Sequence, residues 1–183
     1  MSLREKWIDT LYKSAIGKRR VKARLTSLIG IAFIAYVGLF VSASLRMDNL
    51  LGFPALLPTR LSTILSIPIL AVGLWLAAWS LVHFIKVRGT PIPSIPPPKL
   101  VTTGPYARVR NPMHIGLYIF LFGLGIMFRS VSLVSIFTPI FILLDVLELK
   151  NIEEVELERR LGKDYLEYKE KVPMFIPRLP LLK

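Results

Sequence analysis

Two apolar runs without a single Asp, Glu, Lys or Arg, residues 25–45 and 61–85, constrain this chain more than any other feature. At 1.5 Å of rise per residue each can cross a hydrocarbon core of about 30 Å, where a backbone without water has to be helical. Two shorter apolar runs follow, residues 113–128 and 131–147, separated only by Arg129-Ser130. They predict a tight helical hairpin whose tip stops in the far headgroup region. Gly116, Gly123 and Gly125 allow close backbone approach, Pro139 bends the returning arm, and Pro68 kinks the second span. The expected fold is an all-α integral membrane protein with four membrane segments, two spans plus the hairpin.

Charge sets the orientation. Lys and Arg number eight before the first span, five in the second loop and eight after the hairpin, against two in the first loop and one at the hairpin tip. The positive-inside rule then places the N-terminus, the second loop and the C-terminus together in the cytoplasm. A net charge of +12 in a chain 53% hydrophobic points to the anionic membrane surface and membrane lipids as partners, not to nucleic acid. With no cysteine and two histidines, disulfides, thiolate metal sites and a cysteine nucleophile are excluded, and no metal site is expected.

Residues 1–24 read as an interfacial region. Leu3, Trp7, Ile8, Leu11, Tyr12 and Ala15 recur at helical spacing among charges, which is no signal peptide but an amphipathic helix on the membrane surface, followed by a basic flank. Residues 25–85 hold the two spans. The connection between them begins at Arg46 and Asp48. In the second span Trp75, Trp79 and His83 share one face, read as packing and not as a ligand set.

Residues 86–183 carry the chemistry. Residues 86–99 contain five prolines and predict an extended, stiff wall beside a site. A Gly-Pro-Tyr turn at Gly104-Pro105-Tyr106 follows, and then Asn111-Pro112 at the mouth of the hairpin, where proline suits the first position of a helix. Arg108 and Arg110 stand just outside that helix, whose first-turn N–H groups attract anions. Beyond the hairpin a charged helix is expected over residues 151–171, ended by Pro173. Its apolar stripe is Leu157, Leu161, Tyr165, Tyr168 and Val172, and its solvated face Glu156, Arg159, Arg160, Lys163 and Glu170. A carboxylate in a membrane segment is expensive without a polar partner, so Asp145 is either a functional group or a fold-holding partner of Arg110 or Lys150.

The pattern Leu100-Val101-x-x-Gly104-Pro105-Tyr106-x-x-x-Arg110-Asn111-Pro112-Met113-x-x-Gly116, an apolar hairpin, then Glu153-Glu154-x-x-Leu157-x-x-x-Leu161-Gly162-x-x-Tyr165-x-x-Tyr168-x-x-x-Val172-Pro173 resembles the isoprenylcysteine carboxyl methyltransferase and phospholipid methyltransferase superfamily. The likeness covers residues 89–177. Where that family usually has Arg-His-Pro-x-Tyr, this chain has Arg110-Asn111-Pro112-Met113-His114. Leu161 stands for a frequent Phe, and Met174 for a basic residue.

The resemblance implies an integral membrane enzyme that moves a methyl group from S-adenosylmethionine, without a metal, to a lipid-like or prenylated acceptor, leaving S-adenosylhomocysteine. Glu153 and Glu154 would hold the ammonium and ribose end. Asn111 and the helix start at Pro112, Met113 and His114 would take the carboxylate, and Tyr106 with the proline wall would flank the adenine. Arg110 could orient an acceptor carboxylate, as on a prenylated cysteine. His114, Asp145 or one of the paired glutamates could accept a proton from an amine such as phosphatidylethanolamine. A sterol-reductase-like NADPH enzyme and a non-enzymatic membrane protein are the competing classes.

Overall fold

A computed structural model of the chain describes residues 5–6, 8–9, 19–87 and 100–178, and all regular elements among them are helical. In order they are α1 (Arg19–Leu51), α2 (Thr59–Lys86), a short 3₁₀ turn (Gly104–Ala107), α3 (Pro112–Met127), α4 (Thr138–Glu148), α5 (Glu154–Leu161) and α6 (Lys163–Lys171). Two π-helical segments, Leu133–Phe137 and Leu149–Glu153, flank α4. Gly30–Leu51 and Thr59–Lys86 are long and apolar enough to cross a membrane. On α2 Ile64, Ile67, Leu74 and Trp75 are more than half exposed, as side chains that face lipid are.

The chain divides into two compact units. One comprises residues 27–77 and 114–146. Here α2 and α3 touch backbone to backbone: a methyl group on Gly73 would lie 2.7 Å from the Phe120 nitrogen, and one on Gly116 2.8 Å from the Gly73 carbonyl oxygen. Only glycine permits that approach, the small-residue packing expected between helices in lipid. The hairpin turn is made by Arg129 at φ 59°. Its side chain donates to the Leu57 carbonyl and the Thr59 hydroxyl at 3.0 Å each, and Asp48 accepts the Ser132 N–H at 2.8 Å and the Ser130 hydroxyl. These contacts correct the expectation that α1 ends at Leu45. The helix continues to Leu51, because Asp48 and its turn are fastened to the hairpin tip. Just before Pro139, where the sequence predicts a bend, the chain is π-helical and the Thr138 N–H reaches back to the Leu133 carbonyl. Through Pro68, α2 is unbroken.

The other unit comprises residues 1–26, 78–113 and 147–183. Its centre is Tyr165, Tyr168 and Val172, with Leu100, Leu157 and Leu161 packed against them, which is the stripe read from the sequence. The single helix expected over residues 151–171 is instead a π-helical segment and two helices, broken where Gly162 takes φ 58°. A residue without Cβ reaches that conformation at no steric cost. The expected solvated face is also corrected: Glu156 is 6% exposed and bonds Arg160 at 2.8 Å, and the pairing offsets the burial of both charges. On α2 Trp75, one turn before Trp79, is 61% exposed, and the Trp79 carbonyl and His83 Nδ1 lie 2.8 Å apart. Of the N-terminal amphipathic segment only Glu5, Lys6, Ile8 and Asp9 are described. They are helical, with Ile8 buried and Asp9 3.9 Å from Arg159, so this part packs on protein. The proline wall lies outside the described residues from 88 to 99.

Candidate functional site

Among the described residues within the stretch that carries the resemblance, two clusters of ionisable side chains stand out, one in each unit. The first is built on Arg110. Leu100 to Asn111 is irregular chain apart from the Gly-Pro-Tyr turn, and that turn is locked by packing. Gly104 has φ 63°, and a methyl group there would fall 2.2 Å from His83 Nε2, so only glycine fits. Tyr106 is 5% exposed, its ring edge-on to Phe84 at 5.1 Å and its carbonyl accepting the Tyr168 hydroxyl at 2.7 Å. The structure thus places Tyr106 in the core of the turn, and its ring is spent on holding that turn.

The locked turn presents Arg110 to the end of α6. The Arg110 N–H donates to the Pro173 carbonyl at 2.9 Å and the Asn111 N–H to the Met174 carbonyl at 3.2 Å. Arg110 Nη1 donates to the carbonyls of Lys169 at 3.0 Å and Val172 at 3.4 Å, a cation where a helix C-terminus carries partial negative charge. Its Nη2 reaches Glu154 at 2.7 Å, and the other Glu154 oxygen takes Lys169 Nζ at 2.8 Å. Lys169 also holds Glu158 at 2.7 Å, and its hydrogen bonds to Glu154 and Glu158 push its ammonium above the usual lysine range. Arg110 Nε is buried without a hydrogen-bond partner. Burial raises the Tyr165 and Tyr168 hydroxyls well above the ordinary tyrosine value, and for Tyr165 the charges of Glu154 and Glu153 add to it. Glu153 is half-buried beside Glu154 in sequence, and Asn111 and Met113 are half-buried around the fully buried Pro112.

The second cluster is His114, Tyr118 and Asp145. His114 and Tyr118 are one turn apart on α3, and Phe141 and Asp145 are one turn apart on α4, so two i, i+4 pairs face each other. His114 Nδ1 lies 2.7 Å from Asp145 Oδ2, and the Tyr118 hydroxyl donates to the same oxygen. The Tyr118 ring stands edge-on to buried Phe141 at 6.3 Å. Between the two partners weighed for Asp145 from sequence, Arg110 and Lys150, neither is found: Arg110 is engaged with Glu154, and the acid takes His114 and Tyr118. The His114 and Asp145 side chains are 29% and 18% exposed, so the pair is accessible.

Sequence reasoning did not single out Tyr118 or Lys169. A hydroxyl one turn beyond His114 in an otherwise apolar helix was the available signal for the first. Nothing local marks Lys169, which finds Glu154 through the fold. A groove of about 710 Å³ in the Arg110 unit is lined by Leu100, Thr102, Ala107, Leu161 and α6 residues, and none of the predicted cofactor residues lines it.

Compared with known proteins, residues 61–164 match the family model described as phospholipid methyltransferase. That stretch contains Arg110, Asn111, His114, Tyr118, Asp145, Glu153 and Glu154. A nickel-cobalt-cadmium resistance protein, NccN, of Alcaligenes xylosoxydans xylosoxydans is 33% identical over 85 residues, which is 46% of this chain and 39% of that protein's length.

Proposed function

This chain belongs to the phospholipid methyltransferase family, and from that membership we propose that it is a membrane enzyme transferring a methyl group from S-adenosylmethionine to the amine of a lipid-like acceptor. The observation that carries the reading is the His114–Asp145 pair inside the matched stretch: a base held by a carboxylate is what an acceptor with a proton to lose requires. A carboxylate acceptor needs a cation to orient it. Arg110 is a poor choice, being 11% exposed with both terminal nitrogens bonded to protein.

The Arg110 cluster fits the amino-acid end of the cofactor. Arg110 is held in this frame by Glu154 and the carbonyls at the end of α6, with its Nε buried. Asn111 and the Met113 N–H at the start of α3 stand beside it in sequence and take the cofactor carboxylate. Glu154 is already bonded to two cations, so its part is to hold the frame, and Glu153 takes the ammonium. When bound, the cofactor supplies an electrophilic methyl group whose bonding pair leaves with sulfur. His114 accepts the acceptor's proton at Nε2, since Nδ1 faces Asp145. By the positive-inside rule the N-terminus, the site and the C-terminus face the cytoplasm.

Titration calorimetry of the protein in lipid nanodiscs, with S-adenosylmethionine and NADPH in turn, tests the cofactor. Binding of the first alone is expected, and binding of NADPH alone would overturn the reading. Methyl transfer from labelled cofactor to an aminophospholipid, and not to a prenylcysteine, is the expected outcome for the acceptor.

A further inference from the structure

We propose that Tyr118 is a positioning residue for His114, acting through the single carboxylate oxygen that both side chains share. The inference rests on the reading of His114 as the base and extends it to a residue that does not touch the acceptor.

Asp145 Oδ2 accepts the Tyr118 hydroxyl and faces His114 Nδ1 at 2.7 Å. An imidazole serves as a base only through the nitrogen that carries no hydrogen, and which nitrogen that is depends on the hydrogen bond made by the other. Donation from Nδ1–H to Asp145 places the lone pair on Nε2. That arrangement is only as firm as the carboxylate, whose terminal torsion is broad and nearly two-fold and would let the group turn if it had one donor. A second donor on the same oxygen removes that freedom. The Tyr118 hydroxyl is itself placed by packing: its ring is 9% exposed and stands edge-on to Phe141, which is 6% exposed and lies one turn before Asp145 on α4. Among the described residues, the groups bonded to this carboxylate are His114 and Tyr118, both from α3. In the step itself an N–H bond of the acceptor breaks, its electron pair stays on nitrogen, and the proton passes to His114 Nε2. The Nδ1–H stays with Asp145, and Tyr118 neither gains nor loses a proton.

The test reads the tautomer directly, without substrate. The chain has two histidines, so isotope-labelled histidine gives two sets of ring-nitrogen signals in nuclear magnetic resonance, and the set lost in His114→Gln belongs to His114. In the unaltered protein His114 is expected in the Nδ1–H form. In Tyr118→Phe, which keeps the ring and loses the hydroxyl, a mixture of both tautomers is expected, with kcat lowered about ten-fold and KM for the acceptor unchanged. Tyr118→Leu, which removes ring and hydroxyl together, is expected to show the same mixture. A His114 signal unchanged in Tyr118→Phe, with kcat also unchanged, would overturn the proposal. Full turnover in His114→Gln would overturn the base reading instead, a different outcome in a different variant.

Discussion

The guanidinium of Arg110 lies 2.7 Å from the carboxylate of Glu154, across 44 residues of sequence, and the contact joins the turn before the hairpin to the helix after it. Both groups are nearly buried, with side-chain exposures of 11% and 7%. Removing one partner strands the other in a poorly solvated place. Arg110→Gln is therefore expected to lower stability by about 3 kcal/mol, toward the lower end for a buried pair because Lys169 still holds Glu154. In a Glu154→Gln background the same change should cost clearly less. Denaturant unfolding of the four proteins in detergent checks this, and strictly additive losses would show that the pair is not coupled.

Gly104 should tolerate no side chain. In Gly104→Ala the φ of 63° costs about 1–2 kcal/mol, and contact with the His83 ring, which is held by the Trp79 carbonyl, adds about 1–3 kcal/mol. Adding His83→Ala should recover the steric part and leave the backbone part. Thermal unfolding of the single and double variants separates the two.

Alkaline pH should loosen the Arg110 unit. Burial raises the hydroxyls of Tyr106, Tyr165 and Tyr168, and hydrogen bonds to Glu154 and Glu158 raise Lys169. A group whose folded pKa is raised contributes stability that is whole below its unfolded value, near 10 for both residue types, and that is lost as pH climbs through the folded value. Helix content by circular dichroism should thus hold to about pH 10 and fall above it together with a steep rise in tyrosinate absorbance. Lys169, 36% exposed, contributes little of this, and Lys169→Met should barely move the midpoint.

Cofactor binding should depend on Glu153 more than on its neighbour's charge alone. Glu153→Gln is expected to weaken S-adenosylmethionine binding about ten-fold or more, the loss of one charge-assisted contact. Glu154→Gln should weaken it too, but together with stability. Calorimetric affinities unchanged in both variants would remove the acidic pair from the site.

Orientation can be read by labelling, since the native chain has no cysteine. Cysteines at Ser94 and Lys183 are expected to react with an impermeant reagent from the cytoplasmic side, and one at Asn49 from the other side. Reaction of the Ser94 variant from outside would reverse the topology.

What the order of residues determined here is what repeats or acts locally. Apolar run lengths marked the helices of the hairpin and both long helices, because hydrophobic thickness and helical rise are fixed lengths. The stripe from Leu157 to Val172 announced its own core, because helical spacing puts those side chains on one side. Asn111-Pro112 announced the start of α3, since a proline's φ suits a first turn. Gly162 could not be read as a break inside the charged helix, because the same glycine is tolerated in mid-helix at small cost and only its backbone angle tells the two apart.

The tertiary structure alone decided who partners whom. Asp145, weighed from the sequence against Arg110 and Lys150, took a histidine and a tyrosine, because α3 and α4 set two one-turn pairs against each other. Asp48, read as part of a loop, is helical and fastens the hairpin tip. Arg110, read as a group for the acceptor, instead caps α6 and pairs with Glu154. Each of these pairings closes tens of residues of chain, and its energy depends on burial and on competing partners that exist only once the helices have packed.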